Sequence, residues 1–260
     1  MNPKLKAVLR PIVRVLRIPL RLIGFNVAHV LAMRHLPRYL ADRAAFRRAG
    51  GRITQTMPVL EDYSAHAGSA SGHYFHQDLL VAGLIHKAAP RRHVDVGSRI
   101  DGFVAHVASF RAIEIIDIRP MPGLVHGQIT FLQGDVMQLD DRLADLCDSL
   151  SCLHALEHFG LGRYGDPIDP GGHLKGFANL HRMLEPGGTL YLSFPVGVSA
   201  VHFNAQRVFD PAEVLDWCDG RFDLTQFHCV NDLGALQLNV SIDSARLLRY
   251  GCGIFVLKKL

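Results

Sequence analysis

A series of short apolar segments, each followed by a turn and an acidic residue, constrains the fold of this chain most strongly. HVDVGS contains Asp95 and Gly97, IEIID ends on Asp117, and FLQGD ends on Asp135. Segments with helical spacing of apolar residues lie between these strand-like segments, an alternation typical of a parallel sheet covered by helices on both faces. We therefore predict a doubly wound α/β fold that carries these carboxylates at one edge of its sheet.

The same pattern predicts seven strands, mostly parallel, in one domain spanning residues 74–260. The predicted strands are 93–96, 112–117, 129–132, 148–153, 189–194, 222–230 and 253–258. The predicted helices are 76–87, 103–110 and 175–183, the last of which is stopped by Pro186 and the Gly187-Gly188 turn. Residues 51–73 are rich in Gly, Ser and Ala and are predicted to be a connector.

Residues 1–50 differ sharply in charge from the rest of the chain. They hold eleven Lys or Arg and a single acid, Asp42, for a net +10, whereas the remainder carries −6. Arg10, Arg14, Arg17 and Arg21 recur every three or four residues with apolar residues between them, which predicts a basic amphipathic helical arm. No apolar run in the arm reaches the roughly 20 residues of a spanning helix, and the arginines interrupt any signal-peptide core.

Two interpretations of the basic arm stay open. Residues 1–40 could lie peripherally on the anionic inner face of the membrane, or the arm could pack on the domain with its basic face in solvent. Nucleic acid is not an expected partner, because the arm lacks interleaved aromatic residues and the remainder is acidic. The five cysteines form no CxxC pair, which argues against disulfides and structural zinc and favours a reducing, cytoplasmic location.

The acidic strand ends predict a nucleoside-binding site. Gly97 allows a tight turn and a close backbone approach to a ligand. Asp117, about 20 residues further on, is placed like the acid that binds ribose hydroxyls in Rossmann-type sites. Asp135 follows the third strand and is expected to border the base. The full predicted cofactor-binding set is Asp95, Gly97, Ser98, Arg99, Asp101, Asp117 and Asp135.

These motifs resemble class I S-adenosylmethionine-dependent methyltransferases over about residues 74–260. HVDVGSRIDGF resembles their first motif, IIDIRP their ribose-binding strand end, LHALEHF the segment after their fourth strand, and MLEPGGTLYLSFP their fifth strand with its preceding turn. HYFHQDLLVA, SLSCLHALEHFGLGRYGDPIDPGG and FNAQRVFDP resemble a narrower branch, domain-of-unknown-function family 268. The resemblance implies a Rossmann-like class I methyltransferase fold and S-adenosylmethionine as the cofactor.

The first motif departs from the usual pattern of that superfamily. Arg99 and Asp101 stand where the second and third glycines are expected, and Gly102 comes one position late. Either these side chains reach the methionine part of the cofactor or they block its pocket. The dinucleotide fingerprint G-x-G-x-x-G is absent, which argues against NAD.

Acceptor chemistry is predicted in the segment that follows the fourth strand. His154, Glu157 and His158 spell H-x-x-E-H, and on a helix the two histidines would share one face, as in a family of zinc proteases. We favour one of the three as a general base that removes a hydroxyl proton, and no metal is expected. The predicted acceptor-binding residues are Arg163, Tyr164, Asp166, Asn204 and Arg207.

The sequence therefore predicts methyl transfer to a polar small-molecule or glycan acceptor, such as a sugar or sugar nucleotide in surface polysaccharide biosynthesis. Two alternatives remain at this point. The altered glycine motif suggests a non-catalytic binding protein of the same fold at the membrane. The H-x-x-E-H pattern suggests, with less support, a metal-dependent hydrolase.

Overall fold

The computed structural model describes residues 27–123, 126–138 and 140–260, so the arginine repeat between residues 10 and 21 lies outside the described residues. The chain divides into a first compact unit that ends at Ser69 and a second that runs from Ala70 to Leu260. In the first unit, α1 (Val27–Ala32) and α2 (Leu36–Arg48) flank a short 3-10 turn. The predicted amphipathic character is weak in α2, because its charged and apolar residues are spread around the helix. Among the described residues, no helix combines the length and apolar character needed to cross a bilayer.

In the second unit, the described residues form ten strands and four α-helices. The strands are β1 (His93–Val96), β2 (Ile113–Asp117), β3 (Ile129–Gln133), β4 (Cys147–Leu153), β5 (Leu184–Val196), β6 (Ala200–His202), β7 (Gln206–Val208), β8 (Phe222–Val230), β9 (Leu236–Gln237) and β10 (Gly251–Lys259). The helices are α3 (His73–Ala88), α4 (Ala105–Ala108), α5 (Gly172–Met183) and α6 (Glu213–Cys218).

Eight of these strands form one sheet in the order β3-β2-β1-β4-β5-β10-β8-β9, while β6 and β7 form a separate antiparallel ribbon. The pairings from β3 through β5 are all parallel, and β10 runs antiparallel to both neighbours. The predicted doubly wound, mostly parallel fold is confirmed. The sheet has eight strands where seven were predicted, because the two-residue β9 adds to the free edge of β8.

The core lies in two layers, one on each face of the sheet. Along β10, Ile254 and Val256 belong to the layer under α3, whereas Phe255 and Leu257 belong to the layer under α5 and α6. This alternation follows from the two-residue period of a strand. Phe177 of α5 is fully buried, and burial of a side chain of this kind contributes roughly 1.5–3 kcal/mol. The two layers hold the sheet rigid and fix the positions of its strand ends.

The order of the strands creates a crevice at the carboxyl edge of the sheet. β1 pairs on one side with β2 and on the other with β4. The chain therefore leaves β1 toward β2 and β3, then returns across β1 to begin β4. At such a switch point the two connections diverge, and ligands of open α/β sheets bind there.

Candidate active site

A cavity of about 540 Å³ opens at this switch point, a volume within the usual range for small-molecule sites. One side, which we call the strand-end side, is formed by residues 96–97, 116–119 and 134–137. The opposite side, the loop side, is formed by lining residues within 153–159 and 163–166. The remaining lining residues are Tyr74, Arg99, Gln206 and Tyr250.

Gly97 lies where the strand-end side packs against Ala155 of the loop side. Its φ is +73°, a left-handed conformation that favours glycine, and its N–H donates to the carbonyl of Ile116 over 3.0 Å. A Cβ at this position would lie 2.9 Å from the Cβ of Ala155. Residue 97 therefore has to be glycine both for its backbone conformation and for the close packing of the turn after β1.

Asp95 and Ser98 lie beneath this turn and do not belong to the described cavity lining. The Asp95 carboxylate has no solvent exposure and accepts hydrogen bonds from the Ser98 amide and hydroxyl and from the Ser151 hydroxyl, at 3.0, 2.7 and 2.5 Å. Desolvation raises the pKa of Asp95 to about 6, although these hydrogen bonds oppose the rise. The two residues thus brace the turn and hold β1 to β4.

Arg99 and Asp101, the residues at the expected glycine positions, form an exposed ion pair. Nη2 of Arg99 lies 3.0 Å from Oδ2 of Asp101. Arg99 lines the cavity and its guanidinium lies 5.4 Å from the ring centre of Tyr74, whereas Asp101 is not among the described lining residues. The pair lies at the rim of the cavity and leaves the volume beside Gly97 open.

Asp117 ends β2 with its carboxylate on the strand-end side. Oδ1 accepts from the backbone N–H and Nε of Arg119 at 2.8 and 2.9 Å, and Oδ2 accepts from Nη2 at 2.5 Å. A carboxylate has about four acceptor positions, so these three bonds leave one on Oδ2. Arg119 also lies over the ring of Tyr164, 4.6 Å from its centre.

Asp135 lines the same side from the turn after β3. Its Oδ1 accepts from the backbone N–H of Met137 at 2.9 Å, and its Oδ2 accepts from the side chain of Gln138 at 3.2 Å. Three of the predicted cofactor-binding residues, Gly97, Asp117 and Asp135, therefore come together along three successive strand ends.

The H-x-x-E-H segment does not form the regular helix that was considered for it. Only Leu156–His158 is helical, as a single 3-10 turn, so His154 and His158 do not share a helix face. His154 lies before this turn with a φ of +50°, and its Nδ1–H donates to Oε1 of Glu157 over 2.8 Å. Among the described residues, His158 belongs to no cluster of three metal-ligating side chains. The protease-type arrangement of the two histidines on one ion is thus absent from the described residues.

His158 has the geometry of a neutral imidazole facing the cavity. Its Nδ1–H donates to the carbonyl of Ala205 over 2.7 Å, which leaves the lone pair on Nε2. Desolvation lowers the pKa of His158, although Glu157 beside it acts in the opposite direction. Nε2 lies 3.7 Å from Oε1 of Glu157. The ring is therefore oriented from the backbone and ready to accept a proton near neutral pH.

The loop after the 3-10 turn is folded around Asp166. Its carboxylate accepts from the backbone N–H groups of Gly160, Gly162 and Tyr164 at 2.8, 3.1 and 3.1 Å. The ring of Tyr164 meets His158 edge-on with centroids 5.6 Å apart. Asp166 therefore shapes the loop side, while Tyr164 presents its ring to the cavity.

Asn204 and Arg207, two of the predicted acceptor-binding residues, are not among the described lining residues. Asn204 is exposed, and Arg207 is buried with its guanidinium donating to the carbonyls of Glu157, Phe159 and Pro170 at 3.3, 2.7 and 3.2 Å. Side chains alternate along β7, so Gln206 faces the cavity and Arg207 points away from it. Arg207 is thus a brace that joins the ends of the loop.

Several lining residues were not predicted from the sequence. Arg119, Met137 and Phe159 lie beside predicted residues and could have been found from that proximity. Tyr74 and Tyr250 come from α3 and from the segment before β10, and no local signal in the sequence connects them with the site. Arg163, which was predicted, lines the cavity and donates to the Ala205 carbonyl over 2.7 Å.

The solved structures similar to this chain include methyltransferases of low sequence identity. An N-methyltransferase, NodS, from Bradyrhizobium japonicum, crystallised with S-adenosylhomocysteine, is 14% identical with a TM-score of 0.48, covering 72% of this chain and 88% of that one. A Burkholderia thailandensis 1,6-didemethyltoxoflavin-N1-methyltransferase is 15% identical with a TM-score of 0.47, covering 89% and 88%. A Methanosarcina mazei methyltransferase is 17% identical with a TM-score of 0.48, covering 68% and 97%.

Comparison with curated protein sequences finds no match. One family model does match, and it covers residues 130–260, which is half of the chain. That segment runs from β3 to the end of β10 and includes the whole loop side of the cavity. The family is the narrower branch indicated by the sequence motifs. The chain therefore belongs to the family described as "Caenorhabditis protein of unknown function, DUF268".

Proposed function

We propose that this protein is an S-adenosylmethionine-dependent methyltransferase. The observation that carries the proposal is the placement of Gly97, Asp117 and Asp135 around one cavity at the switch point of the sheet. Such a crevice is where an open α/β sheet holds a nucleoside. When bound, the cofactor supplies an electrophilic methyl group on its sulfonium.

The residues on the strand-end side fit this cofactor. Gly97 lets the backbone approach a ligand because there is no Cβ between the turn and Ala155. The remaining acceptor position on Asp117 suits a ribose hydroxyl, and Asp135 lies at the next strand end along the cavity. The ion pair of Arg99 and Asp101 at the rim leaves this volume open and can contact the amino-acid part of the cofactor.

On the loop side, we propose His158 as the general base. His158 lines the cavity, Nε2 carries its free lone pair, and its ring is fixed by the Ala205 carbonyl, so it can take a proton from an acceptor hydroxyl. Glu157 stabilises the imidazolium that results. Arg163 and Tyr164 orient the acceptor for in-line attack, which is where much of the rate gain of a two-substrate enzyme arises.

The acceptor that we propose is a sugar hydroxyl or a sugar nucleotide used in surface polysaccharide assembly. The guanidinium groups of Arg119 and Arg163 both lie against the ring of Tyr164, 4.6 and 5.2 Å from its centre, and suit an anionic or hydroxyl-rich molecule. The basic arm of residues 1–40 would hold the enzyme peripherally on an anionic membrane face, near such acceptors. This part of the proposal depends on charge and sequence pattern alone.

A calorimetric titration with S-adenosylmethionine, with NAD as the control ligand, tests the cofactor assignment. We expect micromolar binding of S-adenosylmethionine, loss of that binding in Asp117→Ala, and little change in Asp216→Ala, which removes an exposed carboxylate of α6 outside the described cavity lining. A folded wild-type protein that binds neither ligand would contradict the assignment. Unchanged affinity in Asp117→Ala would move the site away from β2.

The non-catalytic alternative is kept because Arg99 and Asp101 replace two glycines of the expected motif. It predicts S-adenosylmethionine binding without turnover. Incubation with S-adenosylmethionine carrying a labelled methyl group and a panel of sugars and sugar nucleotides separates the two proposals, because only the enzyme transfers label.

A further inference from the structure

Beside the cavity, three potential metal ligands from distant parts of the chain meet. His73 begins α3, His154 follows β4, and Cys252 lies in β10. One ligand atom from each, a ring nitrogen or the Sγ, lies within 4.8 Å of the other two. We call these three residues the His-His-Cys cluster. It is separate from His158 and from Gly97, Asp117 and Asp135, so it does not depend on the proposed function.

The nitrogen that His154 offers to the cluster is buried and unpaired. Its Nδ1–H is engaged by Glu157, and Nε2 has no hydrogen-bond partner among the described residues. The side chain of His154 is only 4% exposed. A buried polar atom without a partner is costly, so such an atom calls for a ligand or an ion.

The other two members also present suitable atoms. Nε2 of His73 donates to the carbonyl of Tyr250 over 3.1 Å, which places the lone pair of the ring on Nδ1. The two imidazole rings are stacked, with centroids 5.2 Å apart and planes 13° from parallel. Cys252 is fully buried, and its thiol contacts Oε1 of Gln77 at 3.7 Å and the carbonyl of Gly253 at 3.8 Å.

Both histidines carry the outer hydrogen bond that orients metal-ligating imidazoles. In metal sites, the ring nitrogen opposite the ion donates to a carboxylate or a backbone carbonyl. Glu157 supplies the carboxylate for His154, and Tyr250 supplies the carbonyl for His73. His154 is also held at a φ of +50°, a strained conformation for a residue other than glycine that is enriched at functional sites.

We propose that the His-His-Cys cluster binds one transition-metal ion of the zinc class. Two neutral imidazoles and a thiolate are a ligand set suited to Zn²⁺, and three protein ligands leave a fourth position for water or another small ligand. His154 and Tyr250 both line the cavity, so the ion would lie at its wall. The Cys252 thiol loses its proton to solvent when the ion binds.

Cobalt(II) reports on this site directly, because it adopts zinc-like geometry and absorbs visible light. The test uses full-length protein without an affinity tag, reduced and stripped of metal with a chelator, then titrated with CoCl₂. We expect one equivalent to bind, with a near-ultraviolet thiolate-to-cobalt band and the intense visible bands of four-coordinate cobalt. Added ZnCl₂ should displace the cobalt and remove both.

Matched variants locate the ligands. Cys252→Ser should lose the thiolate band, while Cys218→Ser, which removes a buried thiol outside the cluster, should keep it. His73→Gln should lose the four-coordinate bands, and it serves as the second test if Cys252→Ser does not fold. Glu157→Gln, a change to a positioning residue, should weaken cobalt affinity about 10- to 100-fold while keeping the band positions.

The proposal is overturned if the folded wild type takes up neither cobalt nor zinc at micromolar concentration. It is also overturned if the thiolate band survives in Cys252→Ser. S-adenosylmethionine titrations of the metal-free and zinc-loaded protein keep the two proposals distinct. Cofactor binding without metal uptake would remove only the metal site, and metal uptake without cofactor binding would remove only the methyltransferase assignment.

Discussion

The strand-end side and the loop side of the cavity hold their polar groups in different ways. On the strand-end side, each carboxylate is bonded by residues that follow it closely in the chain, as Asp117 is by Arg119 and Asp135 by Met137. On the loop side, His158 is oriented by a carbonyl 47 residues further on, that of Ala205. The first side is therefore determined locally, whereas the second depends on contacts that only the folded chain creates.

The largest expected effect comes from the proposed base on the loop side. Replacing His158 with Gln removes the proton acceptor, and loss of a general base typically lowers turnover about 10²- to 10⁴-fold. Affinity for S-adenosylmethionine should stay within about twofold, because His158 is not on the strand-end side. Turnover is measured as release of S-adenosylhomocysteine with the acceptor found in the sugar screen.

His181→Gln, a change in α5, is the matched control and should keep wild-type turnover. Because desolvation lowers the pKa of His158, the wild-type rate should reach its plateau at a lower pH than an ordinary histidine base would allow, and it should fall when the pH is lowered further. A turnover loss accompanied by an equal loss of cofactor affinity would argue against separate roles for the two sides.

The next prediction tests whether the hydrogen bonds from Arg207 of β7 hold the loop side in place. Replacing Arg207 with Met removes the donor from the buried carbonyl of Glu157 and from the partly buried carbonyls of Phe159 and Pro170. Each unsatisfied buried carbonyl costs about 1–3 kcal/mol. Because the loop can shift so that some of these carbonyls reach water, we expect the free energy of unfolding to fall by roughly 3 kcal/mol in total. Urea denaturation measures this loss, and limited proteolysis should show faster cleavage within residues 160–172.

Arg246→Met is the control for this substitution. Arg246 is an exposed arginine that pairs with Asp210 at the surface, so its replacement should have little effect on unfolding. If Arg207→Met unfolds at the same urea concentration as Arg246→Met, the loop is held by something other than its bonds to Arg207.

The difference between the two sides also explains what the sequence predicted. The strand bounds 93–96 and 222–230 agree with the structure because turn residues end both segments, Gly97 after β1 and the Asn231–Gly234 turn after β8. Gly97, Asp117 and Asp135 line the cavity because strand order alone places those turns at one edge.

The loop side was predicted less well because its geometry is set at long range. Asn204 and Arg207 were predicted to bind the acceptor. The segment that contains them does pass beside the cavity, but of its residues Gln206 alone is among the described lining residues. Which side chain of a short strand faces a ligand is decided by register, and a one-residue shift reverses it. His73 and Cys252 are about 80 and 100 residues from His154, so no sequence spacing could have joined them.

A smaller effect concerns Asp95, buried beneath the turn after β1, and the pH dependence of the free energy of unfolding. The pKa of Asp95 is raised by desolvation to about 6, against an unfolded value near 3.9. Between these values the folded state binds more protons, so this group destabilises the fold progressively as pH rises from about 4 to 6. Asp95→Asn removes the effect, and its free energy of unfolding relative to wild type should rise by about 2 kcal/mol between pH 4 and pH 7.

Urea denaturation of both proteins at several pH values measures this difference, and Asp101→Asn supplies the control of opposite sign. The hydrogen bond from Arg99 lowers the pKa of Asp101, so that group stabilises the fold above pH 4 and its loss should lower stability at pH 7 relative to acid pH. A pH profile of Asp95→Asn parallel to wild type would mean that Asp95 is ionised at its ordinary pKa.

The smallest expected effect tests the backbone contact between the two sides, Gly97 against Ala155. Gly97→Ala and Gly187→Ala both place a side chain on a left-handed backbone, at φ +73° and +71°, which costs about 1 kcal/mol each. A Cβ at Gly187 meets no described atom within 4 Å, whereas one at Gly97 comes to 2.9 Å from Ala155. Gly97→Ala should therefore cost about 1 kcal/mol more, and it alone should weaken S-adenosylmethionine binding.

The double variant Gly97→Ala with Ala155→Gly separates packing from backbone strain at this contact. Removing the methyl group of Ala155 relieves the close approach but leaves the φ of residue 97 unchanged. The double variant should therefore recover the stability that Gly97→Ala loses beyond Gly187→Ala, and it should keep the backbone strain that both glycine substitutions introduce. A double-mutant cycle in urea measures this coupling. Zero coupling would show that the turn after β1 is set by its own backbone alone. A coupling of about 1 kcal/mol would show that Ala155 on the loop side limits the space available at residue 97 on the strand-end side. Substitutions on the loop side could then alter the position of the strand-end turn through this contact.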